Sequence, residues 1–141
     1  VSAWFGKGEI DKGMEELDRL IQEYPEMADN YLARASGWHR KGNLEKAARD
    51  CAQALALDPM LAHAHVLRSI IRIARQEWDK AIAAYGKAID LAPNDLYLYE
   101  NRVNLYISRE MYQEALADAD KLLNVIKAEI MARVEKELKG K

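Results

Sequence analysis

Three histidines, one cysteine and a recurring set of arginines are the side chains of this 141-residue sequence whose types invite chemistry. His63 and His65 stand two apart. On a helix that spacing turns the rings to different sides, so they do not form a chelate for a metal ion. His65 falls in a column of packing residues, which suits a partly buried, hydrogen-bonded ring. Cys51 sits in a similar column with no base beside it, and reads as a small buried hydrophobe rather than a nucleophile. No glycine-rich phosphate loop, HExxH motif or GxSxG turn occurs, and carboxylate pairs such as Glu15–Glu16 read as surface charges. The expectation is therefore no catalytic residues, no metal and no cofactor, in a chain that is not an enzyme. Arg34, Arg68 and Arg102 recur at a fixed interval, and Asp50 and Asp118 follow the first and last of them. An Arg–Asp contact within one structural unit, the arginine stem lying between helices, accounts for the pattern; Ala84 interrupts it in the middle. A column of arginines reading acidic ligands is the alternative.

The elements that position these residues are helical. Half the residues are apolar and 31% are charged, the composition of a globular unit. A chain this long buries roughly 68–70% of the surface its unfolded form exposes, enough for a core without disulfides. Ala and Leu outnumber the β-branched residues, and threonine is absent, which favours helix over strand. Twenty-one basic against 23 acidic side chains leave a formal charge of −2 with no basic cluster, so nucleic acid is not an expected partner. No apolar run approaches the ~18–20 residues of a membrane span, and no positively charged start followed by an apolar stretch suggests a signal peptide. The compartment is not encoded; the cytoplasm is the default this composition favours.

The three prolines, Pro25, Pro59 and Pro93, are each 34 residues apart, and when the chain is laid out in rows of that length like residues fill the columns. Small residues recur as Gly13, Ala47, Ala81 and Ala115. Bulky ones recur as Tyr31, His65 and Tyr99, and as Leu17, Cys51, Tyr85 and Ala119. Gly8, Gly42, Gln76 and Glu110 share the column where a left-handed residue would end one helix before the next. Apolar residues return every three or four places in two blocks per row, for example Ile82, Tyr85, Ala88 and Ile89, so each row is a helical hairpin. A hairpin of this kind leaves an apolar face that only a stacked neighbour can cover.

These residues resemble the tetratricopeptide repeat. The second row carries Tyr31, Ala35, Trp38, Gly42, Ala47, Ala54 and Pro59, with Cys51 at an aromatic slot. The third carries Ser69, Ala81, Tyr85, Ala88 and Pro93, with His65 and Arg72 at aromatic slots. The fourth carries Tyr99, Tyr106, Ala115 and Leu122 and has Lys127 for its proline. The resemblance implies an all-α fold, a right-handed α-solenoid of antiparallel helix pairs. The array covers 1–127, as a partial repeat over 1–27 and full repeats over 28–61, 62–95 and 96–127, and 128–141 form a helical extension or cap. The chain opens inside what should be a first helix and reads as a piece of a longer protein, so Trp4, Phe5 and Leu17 are expected to lack part of their usual cover. Leu122, Ile126, Ile130, Val134 and Leu138 fall four apart and predict one helix from about Tyr112 to Leu138.

In that family the first helix of each hairpin lines a concave groove. The resemblance places Leu32, Ser36 and His39 there from the second row, His63, Val66, Leu67, Ile70 and Ile73 from the third, and Tyr97, Asn101 and Asn104 from the fourth. Such a groove, apolar in the middle and polar at its ends, implies a module that binds a peptide or partner protein. The places used by a well-known subset of the family to grip a chaperone's C-terminal carboxylate hold Leu32, Ser36, Leu67, Tyr97 and Asn101, which supply no cation, so that ligand is disfavoured. Two other readings remain: a scaffold element that pairs as a homodimer through the partial first repeat and the terminal helix, and a regulatory domain of a larger enzyme.

Overall fold

A computed structural model describes residues 7–140. Among these are seven α-helices and no strand: α1 (Lys7–Glu23), α2 (Ala28–Arg40), α3 (Leu44–Leu57), α4 (Ala62–Ala74), α5 (Trp78–Leu91), α6 (Leu96–Ser108) and α7 (Tyr112–Lys139). The chain divides into two compact units, α1–α5 up to Leu91 and α6–α7 from Ala92. The 34-residue interval survives in the coordinates. The 13-residue helices α2, α4 and α6 begin at Ala28, Ala62 and Leu96, and α3, α5 and α7 begin at Leu44, Trp78 and Tyr112. The expectation for Trp4 and Phe5 lies outside the described residues.

The turn inside each hairpin is the same device used three times. Gly42, Gln76 and Glu110 all have positive φ, at 82°, 60° and 59°, whereas Gly8 of the same column lies inside α1, because that helix already starts at Lys7. Around each of them the next N–H reaches back five residues, Asn43 to Trp38, Glu77 to Arg72 and Met111 to Tyr106, at 2.8–2.9 Å. The left-handed residue itself donates three back, to His39, Ile73 and Ile107. This pair of bonds satisfies the last carbonyls of the first helix and turns the chain into the second. Asn43 then caps α3 by accepting from the Lys46 N–H, and Asp95 caps α6 by accepting from the Tyr97 N–H.

The turn between hairpins repeats as well. Tyr31 donates its hydroxyl proton to the Pro25 carbonyl, and His65, one row later, donates from Nε2 to the Pro59 carbonyl, both at 3.1 Å. Histidine replaces tyrosine in that column because its ring reaches the same acceptor.

In the first unit α2 packs on α3 and α4 on α5, α1 lies against α2, α3 against α4, and α2 also touches α4. Columns of small residues permit this closeness: Ala35, Ala47, Ala54, Ala64, Ala81 and Ala88 have no exposed surface. Gly37 serves the α1–α2 contact, since a side chain there would collide with the Met14 sulfur. One core cluster joins α2, α3 and α4 through Ala35, Ala47, Cys51, Leu55, Ala64, Leu67 and Ile71. In the second unit α6 packs on the first turns of α7, burying Leu98, Tyr99, Leu105, Ala115 and Asp118. α7 runs 28 residues without a break, as the four-residue spacing predicts, and every described side chain from Lys127 onward is exposed.

Two of the three left-handed positions carry a side chain, which costs ~1–2 kcal/mol in that conformation. Gln76→Gly and Glu110→Gly should therefore each stabilise the protein by about 0.5–1 kcal/mol after the extra unfolded-state freedom of glycine is subtracted. Gly42→Ala should cost a similar amount, because a Cβ there meets open space and only the backbone conformation is at stake. Urea unfolding of the three variants checks the signs.

Candidate interaction surface

The arginine column resolves into paired and unpaired members. Arg34 on α2 grips Asp50 on α3 at two points, Nε to Oδ2 at 2.7 Å and Nη2 to Oδ1 at 2.8 Å, and reaches Asp18 on α1 with Nη1 at 2.9 Å. Arg102 on α6 grips Asp118 on α7 likewise, at 2.5 and 2.6 Å. These are the Arg–Asp contacts the sequence spacing predicts. Forked pairing of this kind is the strong, directional form of the ion pair. The hydrogen bond to Asp50 raises the Arg34 pKa against the opposing effect of burial, and Asp118 does the same for Arg102. Each guanidinium also lies near an aromatic ring, Arg34 5.9 Å from the Tyr31 centroid and Arg102 5.8 Å from that of Tyr106.

Arg68, the middle member, has Ala84 at the sequence position where its sisters have their aspartate. It lines instead a cleft of about 180 Å³ between α3 and α4, with Cys51 and Ala52 from one side and Ile71, Arg72 and Arg75 from its own helix. The sequence reading did not assign Arg72 and Arg75; the signal was Arg72 standing in a column otherwise held by Trp38 and Tyr106. Cys51 is 1% exposed and donates its thiol proton to the Ala64 carbonyl at 3.1 Å. Burial pushes the thiol pKa up, while Arg68 and Arg72 act in the opposite direction. The cysteine is thus a packing residue, and no group of three His, Cys, Asp or Glu able to hold a metal occurs among the described residues. Nor is any described helix long and apolar enough to cross a membrane.

The residues expected to line a groove divide between the units. In the first unit α2 contributes Leu32, Ser36 and His39, all half-buried, and α4 contributes exposed His63 and half-buried Val66, Ile70 and Ile73. Leu67 departs from the expectation of an exposed position. It is 7% exposed and belongs to the core cluster, because α4 is wedged against both α2 and α3 and the side of the helix carrying Leu67 and Ile71 faces that contact. Leu32 packs along the edge of the same cluster. Ser36 lines a cleft of about 280 Å³ formed with Ile10, Gly13, Met14 and Leu17 of α1. In the second unit Tyr97 is 64% exposed, Asn104 is exposed and Asn101 is half-buried, all on α6.

No protein-family model matches the chain, and no curated protein does. Solved structures do match. A crystal structure of MamA aligns with a TM-score of 0.80 at 22% identity, covering 92% of this chain and 76% of that one. MamA residues 41 to the end from Desulfovibrio magneticus RS-1 give 0.75 at 16% identity, covering 86% and 68%. The first TPR of Spaghetti (RPAP3), solved bound to the HSP90 peptide SRMEEVD, gives 0.69 at 22% identity, covering 77% and 86%. The fold is that of the tetratricopeptide repeat, an all-α arrangement of helix pairs.

The two paired arginines differ in what remains when the carboxylate is removed. Asp118→Ala leaves Arg102, 13% exposed, with no carboxylate partner, and should destabilise the protein by about 3 kcal/mol. Asp50→Ala leaves Arg34 its bond to Asp18 and should cost about 1–2 kcal/mol. Losses below ~0.5 kcal/mol for both in urea unfolding would show that the pairs contribute nothing beyond packing.

Proposed function

We propose that this chain is a protein-interaction module that holds a peptide segment of a partner protein against the first-helix faces of its repeats. The observation that carries this is the strip formed in the first unit by Leu32 on α2 and Val66, Ile70 and Ile73 on α4. These are aliphatic side chains left only half-covered on two helices in mutual contact. His39 and His63 lie on the same two helices, half-buried and exposed. An extended or helical peptide burying two or three aliphatic side chains suits it, and the imidazoles give donors and acceptors for the peptide backbone. The exposed face of α6, with Tyr97, Asn101 and Asn104, offers an aromatic ring and two amides to the same kind of ligand. Interaction rather than catalysis also fits the neighbour solved bound to a peptide.

The ligand is not expected to be a chaperone tail held by its terminal carboxylate. Leu32, Ser36, Leu67 and Tyr97 supply no cation at the places that grip requires, and Leu67 is turned into the core. A second reading, pairing of two copies, draws on α7, where Ile130, Met131, Val134 and Leu138 are each at least half exposed.

Affinity capture from a lysate, followed by mass spectrometry, supplies the partner, and Ile70→Glu should abolish its capture at unchanged helicity and melting temperature. Asn104→Ala should weaken it. Capture that is equal for both variants would reject the first-helix faces as the site. In sedimentation, a monomer independent of concentration supports the module, whereas a dimer dissolved by Ile130→Asp and Val134→Asp would favour the pairing of copies.

A further inference from the structure

The repeats show what this fold does with an arginine at the column of Arg34, Arg68 and Arg102: it closes the guanidinium on a carboxylate. In the second and fourth rows that carboxylate comes from the chain itself. In the third it cannot, since Ala84 occupies the place of the aspartate and is 2% exposed, with no room for another group. The carboxylate of the preceding row, Asp50, is already held at two points by Arg34. Arg68 is left beside Arg72, one helical turn on, and Arg75, with no acidic residue among the described residues lining their cleft. Arg72 is fixed in place by donating from Nη1 to the Lys80 carbonyl at 3.1 Å. Its charge is disfavoured by burial and by Arg68, and only partly offset by Glu77, which also pairs with Lys80 at 3.2 Å. Two like charges held together over an apolar floor of Ala52, Ile71 and the Cys51 thiol form a place where an arriving anion recovers energy that the folded chain alone does not.

We infer that the cleft between α3 and α4 is a carboxylate-binding site, filled by an aspartate or glutamate side chain of a partner protein that gives Arg68 the carboxylate its own hairpin lacks. Arg68 supplies the forked contact, Arg72 a second donor and Arg75 a charge at the rim. The floor suits the methylene stem of the acidic residue, and the available space, about 180 Å³, is that of one side chain rather than a folded element. The site is separate from the aliphatic strip. At about 100° per residue, Arg68, Arg72 and Arg75 lie roughly half a turn around α4 from His63, Val66, Ile70 and Ile73. A partner can therefore occupy either without the other.

The probes are the blocked tripeptide acetyl-Glu-Glu-Glu-amide and, separately, inorganic phosphate, each titrated at constant ionic strength while the arginine Nε–Hε resonances are followed. The expected result is a saturable shift of Arg68 and Arg72 with the tripeptide and no such shift of the exposed Arg19. Arg68→Gln should weaken the tripeptide by roughly tenfold or more. Ala84→Asp, which builds the sister repeats' own carboxylate into the third row, should do the same and move the Arg68 resonance toward those of Arg34 and Arg102. Shifts no larger at Arg68 than at Arg19, or unchanged affinity in Arg68→Gln of wild-type helicity, would overturn the site. Saturation by phosphate but not by the tripeptide would overturn the carboxylate assignment. Should Ala84→Asp fail to fold, Arg68→Gln alone decides.

Discussion

A hairpin of one 13-residue and one 14-residue helix has more apolar surface than its two members can hide from water. That shortage is the constraint from which the rest of the first unit follows. The core cluster draws on three successive helices because Cys51 and Leu55 of α3 find cover only when α4 brings Ala64, Leu67 and Ile71 against them. Stacking needs the backbones close, which is why the buried positions facing neighbouring helices are alanines and larger side chains fill the spaces between them. Stacking also needs every hairpin to turn in the same way. The left-handed residue at Gly42, Gln76 and Glu110 enforces this, and the fold keeps it even where a side chain makes it strained.

Electrostatics is arranged on the same period. Arg34 and Arg102 each bridge the two helices of their hairpin, a place where an unpaired guanidinium loses water without compensation. Pairing with an aspartate one helix on removes the penalty and fixes the register of the two helices, since a forked contact tolerates little sliding. The third hairpin lacks that aspartate, and its arginine is the one that lines an open cleft. Alanine stands in the aspartate's place there, buried at 2% exposure, and leaves Arg68 without a carboxylate from its own hairpin. A repeat protein can thus turn a structural position into a binding one by changing a single residue in one copy, because the other copies carry the stability.

α7 marks the boundary of this logic. Its first turns do what α3 and α5 do, packing on the helix before them, and Ala115 and Asp118 are buried there. Beyond Ile126 no described side chain is covered, and the helix continues on the strength of its own good helix formers and mixed charges. Its aliphatic residues remain available to whatever surface meets them.

The sequence by itself determined the helical fold, the three equivalent turns and two of the three arginine partners. All of these are local or repeat within one period, so spacing exposes them. It also identified Cys51 and His65 as packing residues from their columns alone. The fate of Leu67, the cleft that Ser36 shares with α1, and the assembly of Arg68, Arg72 and Arg75 over the Cys51 thiol were decided only by tertiary structure. A helix presents its whole circumference to its neighbours, and periodicity fixes which residues share a side of it. How deeply a given side is covered depends on how closely several helices meet. The family resemblance puts Leu67 on the face open to a ligand; here the packing of α4 against α2 and α3 closes over it.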